Sequence, residues 1–186
     1  DFVIFFIVIF LILLLGIIDD KLSLKPITKT LISSVLFLSF LITIKEFQIY
    51  ELRFEQGSIV VDLFELSLIF SVLCFLVLQI CLNMYDGINL QSSIYYIAII
   101  TFFFSINLNI DFKIFYLINI IYLIFFIFYN YKGKIFMGDN GVYIFSFILS
   151  LIIIKTYQTS NDMKVEHVLI FLFFPFFDMI RLTTRP

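Results

Sequence analysis

Four short polar clusters interrupt an otherwise very hydrophobic chain: Asp19-Asp20-Lys21, Asn83-Met84-Tyr85-Asp86-Gly87, Gly138-Asp139-Asn140-Gly141, and Asp178 to Arg181. Carboxylates are costly next to lipid and are seldom grouped there without a cation or a substrate to hold. Two unit charges about 4 Å apart repel by about 4 kcal/mol at an effective dielectric near 20. A divalent cation or a neighbouring lysine removes that penalty. Mg2+, or Mn2+ in its place, suits such groups because it prefers hard oxygens and is usually shared between one or two carboxylates and substrate phosphates. The plainer reading of Asp19 and Asp20 is a helix end meeting water.

The other clusters carry similar pairs of readings. Asn83 and Asp86 are three residues apart and face the same way on a last helical turn, while Gly87 permits a tight departure of the backbone. An amide beside a carboxylate could hydrogen-bond a ribose or a base, or serve a metal; an Asp-Gly turn is the alternative. Gly138 and Gly141 flank Asp139 at a helix entrance, where open backbone N–H groups favour phosphate, unless Asp139 or Asn140 merely caps the helix. Lys132 and Lys134 just upstream add charge for a diphosphate or sit among lipid headgroups. Asp178, Arg181 and Arg185 share a helix face beyond a kink expected at Pro175, placing Arg181 for substrate or for headgroup anchoring. His167, the single histidine, falls on the opposite side and is expected to play no part in chemistry. Cys74 and Cys81, seven apart on one helix, are expected to be buried thiols.

The elements that must position these clusters follow from composition. Of 186 residues 62% are hydrophobic, with 27 Phe and no Trp, and the mean hydropathy is +1.13. Soluble domains carry about 45–50% apolar residues, so the chain reads as an all-α polytopic membrane protein. Spanning a bilayer takes about 20 apolar residues. Seven candidate spans are expected: 2–17, 27–44, 60–82, 93–110, 112–129, 141–157 and 165–180. The residues between the second and third, 45–59, read as an exposed loop or short hairpin with Gly57 at its turn. Alternation then puts all four clusters on one side of the membrane. That side carries Lys21, Lys25, Lys29, Lys132, Lys134, Arg181 and Arg185, against Lys45, Arg53, Lys113, Lys155 and Lys164 on the other, a bias that favours the cluster side as cytoplasmic. Nothing divides the chain, so residues 1–186 are expected to form a single domain, an internal fragment of a longer protein lacking sequence at both ends. A net charge of −2 and the lack of any basic run or aromatic-basic platform argue against nucleic-acid binding.

In this order and on one side, the clusters resemble the polyprenyl-phosphate N-acetylhexosamine-1-phosphate transferase family, which includes the phospho-N-acetylmuramoyl-pentapeptide transferase of peptidoglycan synthesis. Gly16-Ile17-Ile18-Asp19-Asp20-Lys21 is similar to its aspartate-pair motif, Asn83-x-x-Asp86-Gly87 to its Asn-x-x-Asp-Gly motif, and Phe136-Met137-Gly138-Asp139 to its Phe-Met-Gly-Asp motif. Pro175-x-x-Asp178-x-x-Arg181 resembles the segment before the family's His-rich loop. Two positions depart. Leu90-Gln91 stands where the family commonly has Gly-Leu, and Val142 where it has Ser, so contacts from those positions are not carried over.

The resemblance implies a multi-pass protein of the bacterial inner membrane, a homodimer, with its site facing the cytoplasm. Its implied substrates are a UDP-N-acetylhexosamine and polyprenyl (undecaprenyl) phosphate, with UMP released and Mg2+ required. Within that reading Asp139 is assigned to Mg2+ with help from Asp20 or Asp86. Asp19 orients the acceptor phosphate or takes its residual proton. Asn83 and Asp86 face the nucleotide, Lys21 or Lys25 the phosphates, and Gly138 and Arg181 contribute to substrate binding. The rival from another class is a secondary transporter or ion-conducting protein. Such proteins usually place acids near the bilayer midplane on broken helices, whereas these acids lie at span ends.

Overall fold

The structure, a computed structural model, describes residues 2–56, 59–88, 90–106, 110–160 and 162–184. Among the described residues seven α-helices follow one another: α1 (Phe2–Leu22), α2 (Pro26–Thr43), α3 (Ser67–Tyr85), α4 (Gln91–Ile106), α5 (Ile110–Tyr131), α6 (Gly138–Thr159) and α7 (Val165–Thr183). Between α2 and α3 lies an antiparallel pair of short strands, β1 (Glu51–Arg53) and β2 (Val60–Asp62), in the register Glu51↔Asp62 and Arg53↔Val60. Helices α1, α2, α3, α5 and α6 are long and apolar enough to cross a bilayer by length and composition. Helix α4, at 16 residues, is shorter, and α7 carries Glu166, Asp178 and Arg181 within its 19 residues. The chain is a helical membrane bundle, and its outer surface fits that setting: Phe6, Phe10, Ile27, Phe125, Ile170 and Phe174 are all exposed.

Two boundaries differ most from the sequence-based expectation. The third span does not start at Val60. Residues Val60–Asp62 form β2 instead, because the β-branched Val60 and Val61 pair across the hairpin with Arg53 and Leu52, and the helix begins at Ser67. Gly57, expected at the hairpin turn, lies outside the described residues, as do Asn89, Asn107, Asn109 and Arg185. The first helix runs to Leu22 and not to Ile17, so Asp19 and Asp20 sit on its final helical turn. Successive helical residues point about 100° apart, and the two acids therefore face different neighbours.

Helix α6 is the hub. It packs against α1, α3 and α4, and 78% of its span is buried, against 22–50% for the other four spanning helices. Its centre explains part of the phenylalanine content. The fully buried Phe147 ring stacks on Phe37 of α2 with centroids 5.9 Å apart and also meets Phe40, Phe75 and Phe5. Ser146 and Ser150 return their hydroxyls to carbonyls of their own helix. Small side chains on a buried helix face suit helix packing in lipid. Gln79 of α3 donates to Ser33 of α2 at 3.0 Å, a buried polar tie between two helices.

The end of α6 remote from Asp139 is fastened to the hairpin. Buried Arg53 donates to the carbonyls of Tyr157 and Ser160, and its guanidinium lies 4.4 Å from the Tyr157 ring centre. The Tyr157 hydroxyl accepts the Arg53 N–H at 2.6 Å. Lys155 pairs with Glu46 at 2.8 Å, which ties the same end of α6 to the segment after α2. Tyr157→Phe strands the buried Arg53 N–H and should cost about 1–3 kcal/mol. Thermal melting in detergent would read this as a lowered midpoint, and an unchanged midpoint would show that the hairpin does not depend on that hydroxyl. The two cysteines are free, Cys81 buried and Cys74 half-buried.

Candidate active site

The site is assembled where α1 turns into α2 and where α6 begins. Helix α1 ends with Ser23 in the left-handed region at φ 49°, and the Ser23 N–H donates to the Asp19 carbonyl at 2.8 Å. Pro26 then opens α2 at a first-turn position, where its missing N–H is no loss. This short reversal folds the backbone over Asp19, whose Oδ1 accepts the Leu24 N–H at 3.0 Å. Asp19 Oδ2 accepts two more bonds, from Lys29 Nζ and from the Tyr143 hydroxyl, both at 2.9 Å. The carboxylate is 3% exposed. Both its oxygens are engaged.

Lys29 reaches further. Its Nζ also lies 3.1 Å from Asp139 Oδ2, so one ammonium joins the aspartate pair at the end of α1 to the acid at the start of α6. Asp139 Oδ1 accepts the Asn83 amide of α3 at 3.1 Å. Three elements distant in sequence thus meet at one carboxylate. Asp139 is not a helix cap, since α6 makes no side-chain cap hydrogen bond. Its oxygens point sideways to Lys29 and Asn83. Gly138 enters α6 at φ +60°, a conformation open to glycine at little cost; a side chain there would meet no neighbour, so the requirement is one of backbone alone.

Asp20 faces elsewhere. Its Oδ2 accepts the Asn140 amide at 2.8 Å, and the residue is exposed. Asp86 ends α3 with its N–H on the Leu82 carbonyl. Burial pushes the Asp86 carboxyl above the ordinary carboxylate range; the Ser92 hydroxyl opposes that shift and the negative charge of Asp139 adds to it. Lys21 and Lys25 are exposed at the rim and, among the described residues, form no ion pair with a carboxylate. Arg181 pairs with Asp178 on its own helix, and among the described residues no contact joins it to Asp19, Asp20 or Asp139. His167 accepts the Lys164 N–H at the start of α7, a capping role on the far side.

Sequence reading counted Lys29 only as a positive charge and assigned no part to Tyr143 or Asn130. The signal for Lys29 was available: an ionisable residue one turn inside an apolar helix calls for a partner. Asn130 is buried. Its Oδ1 accepts the Leu90 N–H at 2.8 Å and its Nδ2 donates to the Ile135 carbonyl at 2.7 Å, which ties the loop after Asp86 to the loop before Asp139. Leu90 itself adopts φ 73°, a region that costs an ordinary side chain about 1–2 kcal/mol. This is the position at which glycine is common in the family resembled, so the chain bears a strain that glycine avoids.

Among the described residues no group of three or more Asp, Glu, His or Cys side chains is arranged to hold a metal ion. The oxygens present do not make an all-protein cage. They do fit a hard cation that takes one or two carboxylates and completes its shell with phosphate and water. Among the described residues Asp20 has one oxygen on the Asn140 amide, and Asp139 has its oxygens on Lys29 and Asn83.

A bundle of apolar helices with a lysine-bridged pair of acids at one end defines a helical membrane protein. The model of glycosyl transferase family 4 matches residues 2–157, and the chain belongs to that family. The matched region contains the first three clusters and ends before α7, so Asp178 and Arg181 fall outside it. No curated protein and no solved structure matches the chain significantly.

Proposed function

We propose that this protein transfers an N-acetylhexosamine 1-phosphate from a UDP-sugar to polyprenyl phosphate, releasing UMP, at the cytoplasmic face of a bacterial inner membrane. The observation that carries this reading is the meeting of Asp19, Lys29, Asn83 and Asp139 at one rim of the bundle in a chain of glycosyl transferase family 4. A carrier lipid confined to the bilayer and a water-soluble nucleotide sugar can meet only at such a boundary.

In the reaction, an oxygen of the carrier phosphate forms a bond to the sugar-bearing phosphorus, and the bond from that phosphorus to the UMP oxygen breaks. A phosphomonoester has its second pKa near 6, so the carrier phosphate is largely a dianion at neutral pH. It needs little help from a base. What it needs is relief of the repulsion between two approaching anions and charge placed where the leaving group develops. Asp139, with help from Asp20 or Asp86, would hold Mg2+ with the diphosphate, and the ion would supply that charge as a Lewis acid. Lys29 offers a fixed positive charge beside the same phosphates. Asp19, with both oxygens engaged, serves to hold Lys29 in place instead of taking a proton. Asn83, held against Asp139, and Asp86 at the end of the same helix face the nucleotide. Lys21 and Lys25, free at the rim, are placed to gather anionic substrates. A carboxylate nucleophile forming a covalent phospho-sugar is a poorer fit for Asp19, whose two oxygens are engaged by the Leu24 N–H, Lys29 and the Tyr143 hydroxyl.

The test is exchange of labelled UMP into UDP-N-acetylhexosamine, with the full-length protein in membranes supplied with polyprenyl phosphate. Exchange that needs both Mg2+ and the lipid phosphate is the expected result. Membranes that show no exchange, but a proton- or ion-driven flux, would favour a transporter.

A further inference from the structure

Asn130 stands on the last turn of α5 and is 3% exposed. Both ends of its amide are spent on the backbones of two different loops. Its Oδ1 accepts the Leu90 N–H at 2.8 Å, and its Nδ2 donates to the Ile135 carbonyl at 2.7 Å. Leu90 lies four residues after Asp86, and Ile135 four residues before Asp139. One side chain thus takes the place of a backbone pairing between the loop that leaves α3 and the loop that enters α6. These loops adjoin the two segments whose side chains, Asn83 and Asp139, meet at 3.1 Å.

The local chain is shaped for this bridge. Past Asn130 the backbone reverses at Gly133, with φ 63°. The Gly133 N–H donates to the Asn130 carbonyl at 2.9 Å and the Lys134 N–H to the Tyr129 carbonyl at 3.1 Å. A glycine of this kind closes a helix, and here it returns Ile135 to the Asn130 side chain. On the other loop Leu90 has φ 73°, and its carbonyl accepts the first bond of α4 from the Ile94 N–H at 2.9 Å. A strained residue persists only where its surroundings hold it, and the Asn130 oxygen is one of the groups that hold Leu90. The residue type is also determined. One backbone partner can only donate and the other can only accept, so the bridge needs one acceptor and one donor at a fixed separation. Ionised aspartate offers two acceptors and leucine offers neither. A serine hydroxyl is a single atom and cannot stand where both amide ends stand.

We propose that Asn130 is a positioning residue for the nucleotide half of the site: it holds the end of α3, with Asn83 and Asp86, against the entrance of α6, and acts through those residues. The inference rests on the transferase reading above for the presence of the nucleotide. The other half of the site is held separately. Asp19 and Lys29 are fixed by the turn from α1 into α2 and by Tyr143, and among the described residues no hydrogen bond joins them to Asn130.

The experiment is steady-state transfer by the full-length protein in detergent, with UDP-N-acetylhexosamine and polyprenyl phosphate varied in turn. Equilibrium binding of labelled UMP and thermal melting are measured on the same preparations. Asn130→Leu and Asn130→Ser should raise the KM for the UDP-sugar about tenfold, the worth of about one hydrogen bond, and leave that for polyprenyl phosphate within about twofold. UMP should bind more weakly by the same factor, which reads the nucleotide site without turnover. The serine variant is smaller than asparagine and the leucine variant similar to it in size, so agreement between them assigns the effect to the lost bridge. Tyr157→Phe, at the opposite end of α6, controls for lowered stability: it should melt earlier and leave both KM values unchanged. Equal rises in the two KM values, or unaltered UMP affinity in both Asn130 variants, would overturn the positioning role while transfer by the unaltered protein keeps the transferase reading intact. An unaltered protein that transfers no sugar phosphate and binds no UMP refutes that reading first, and this inference with it.

Discussion

Asp139→Asn in the full-length protein should lower transfer of sugar phosphate by about a thousandfold, the upper end of what one electrostatic contact to a developing charge is worth, while the protein stays folded. The two effects separate because of how Asp139 is held. An asparagine keeps the shape of the side chain and an oxygen for Lys29 or for the Asn83 amide. Lys29 retains its bond to Asp19 at 2.9 Å, so the tie between α1 and α2 survives. What is lost is the negative charge that a divalent cation needs from this position. The measurement is single-turnover transfer of labelled sugar phosphate to polyprenyl phosphate, with thermal melting on the same preparation. Turnover within tenfold of the unaltered protein would refute the assignment of Asp139 to the metal.

Lys29→Met should damage both properties. It removes the cation that, among the described residues, touches the two acids, and leaves Asp19 with the Leu24 N–H and the Tyr143 hydroxyl. Removing one partner of a fully buried ion pair costs about 3–5 kcal/mol. Lys29 is about a quarter exposed, so solvent screening reduces the expected cost to about 2–3 kcal/mol. Transfer should fall by about a hundredfold or more, because the substrate phosphates lose a fixed positive charge. The pairing Lys29→Met with Asp19→Asn distinguishes the two contributions. Neutralising Asp19 removes the stranded charge, so melting should return towards that of the unaltered protein while transfer stays low. Should transfer recover along with stability, Lys29 is a structural tie and the phosphates are met by other residues. Additivity of the two single changes in melting would show that the pair does not interact.

The positions of the acids at span ends were legible in the sequence. Runs such as residues 2–17 and 141–157 leave little choice but a membrane helix, and polar residues that close such runs must lie near the boundary with water. The start of the third helix was less legible. Val60 and Val61 read as the beginning of an apolar span until strand pairing with Leu52 and Arg53 removes them from it. The partners of Lys29 and Tyr143 were not legible, for another reason. Each lies inside a helix, and its meaning depends on a partner 10, 110 or 124 residues away. Asn140 is a similar case: next to a helix start it reads as a cap, and only the approach of Gly16 and Asp20 shows otherwise.

The amino-acid sequence by itself determined the class: apolar segments of bilayer length, alternating connections, and polar clusters set at the ends of those segments, since each follows from local composition and from the cost of charge in lipid. Tertiary structure alone decided the division of labour between neighbouring acids. Asp19 is enclosed by the turn into α2 and bound to Lys29, whereas Asp20, one residue on and rotated to another face of the same helix, meets Asn140. The physical reason is that a helix turns about 100° per residue, so chain neighbours have different environments that only the packing of α1 against α2 and α6 defines.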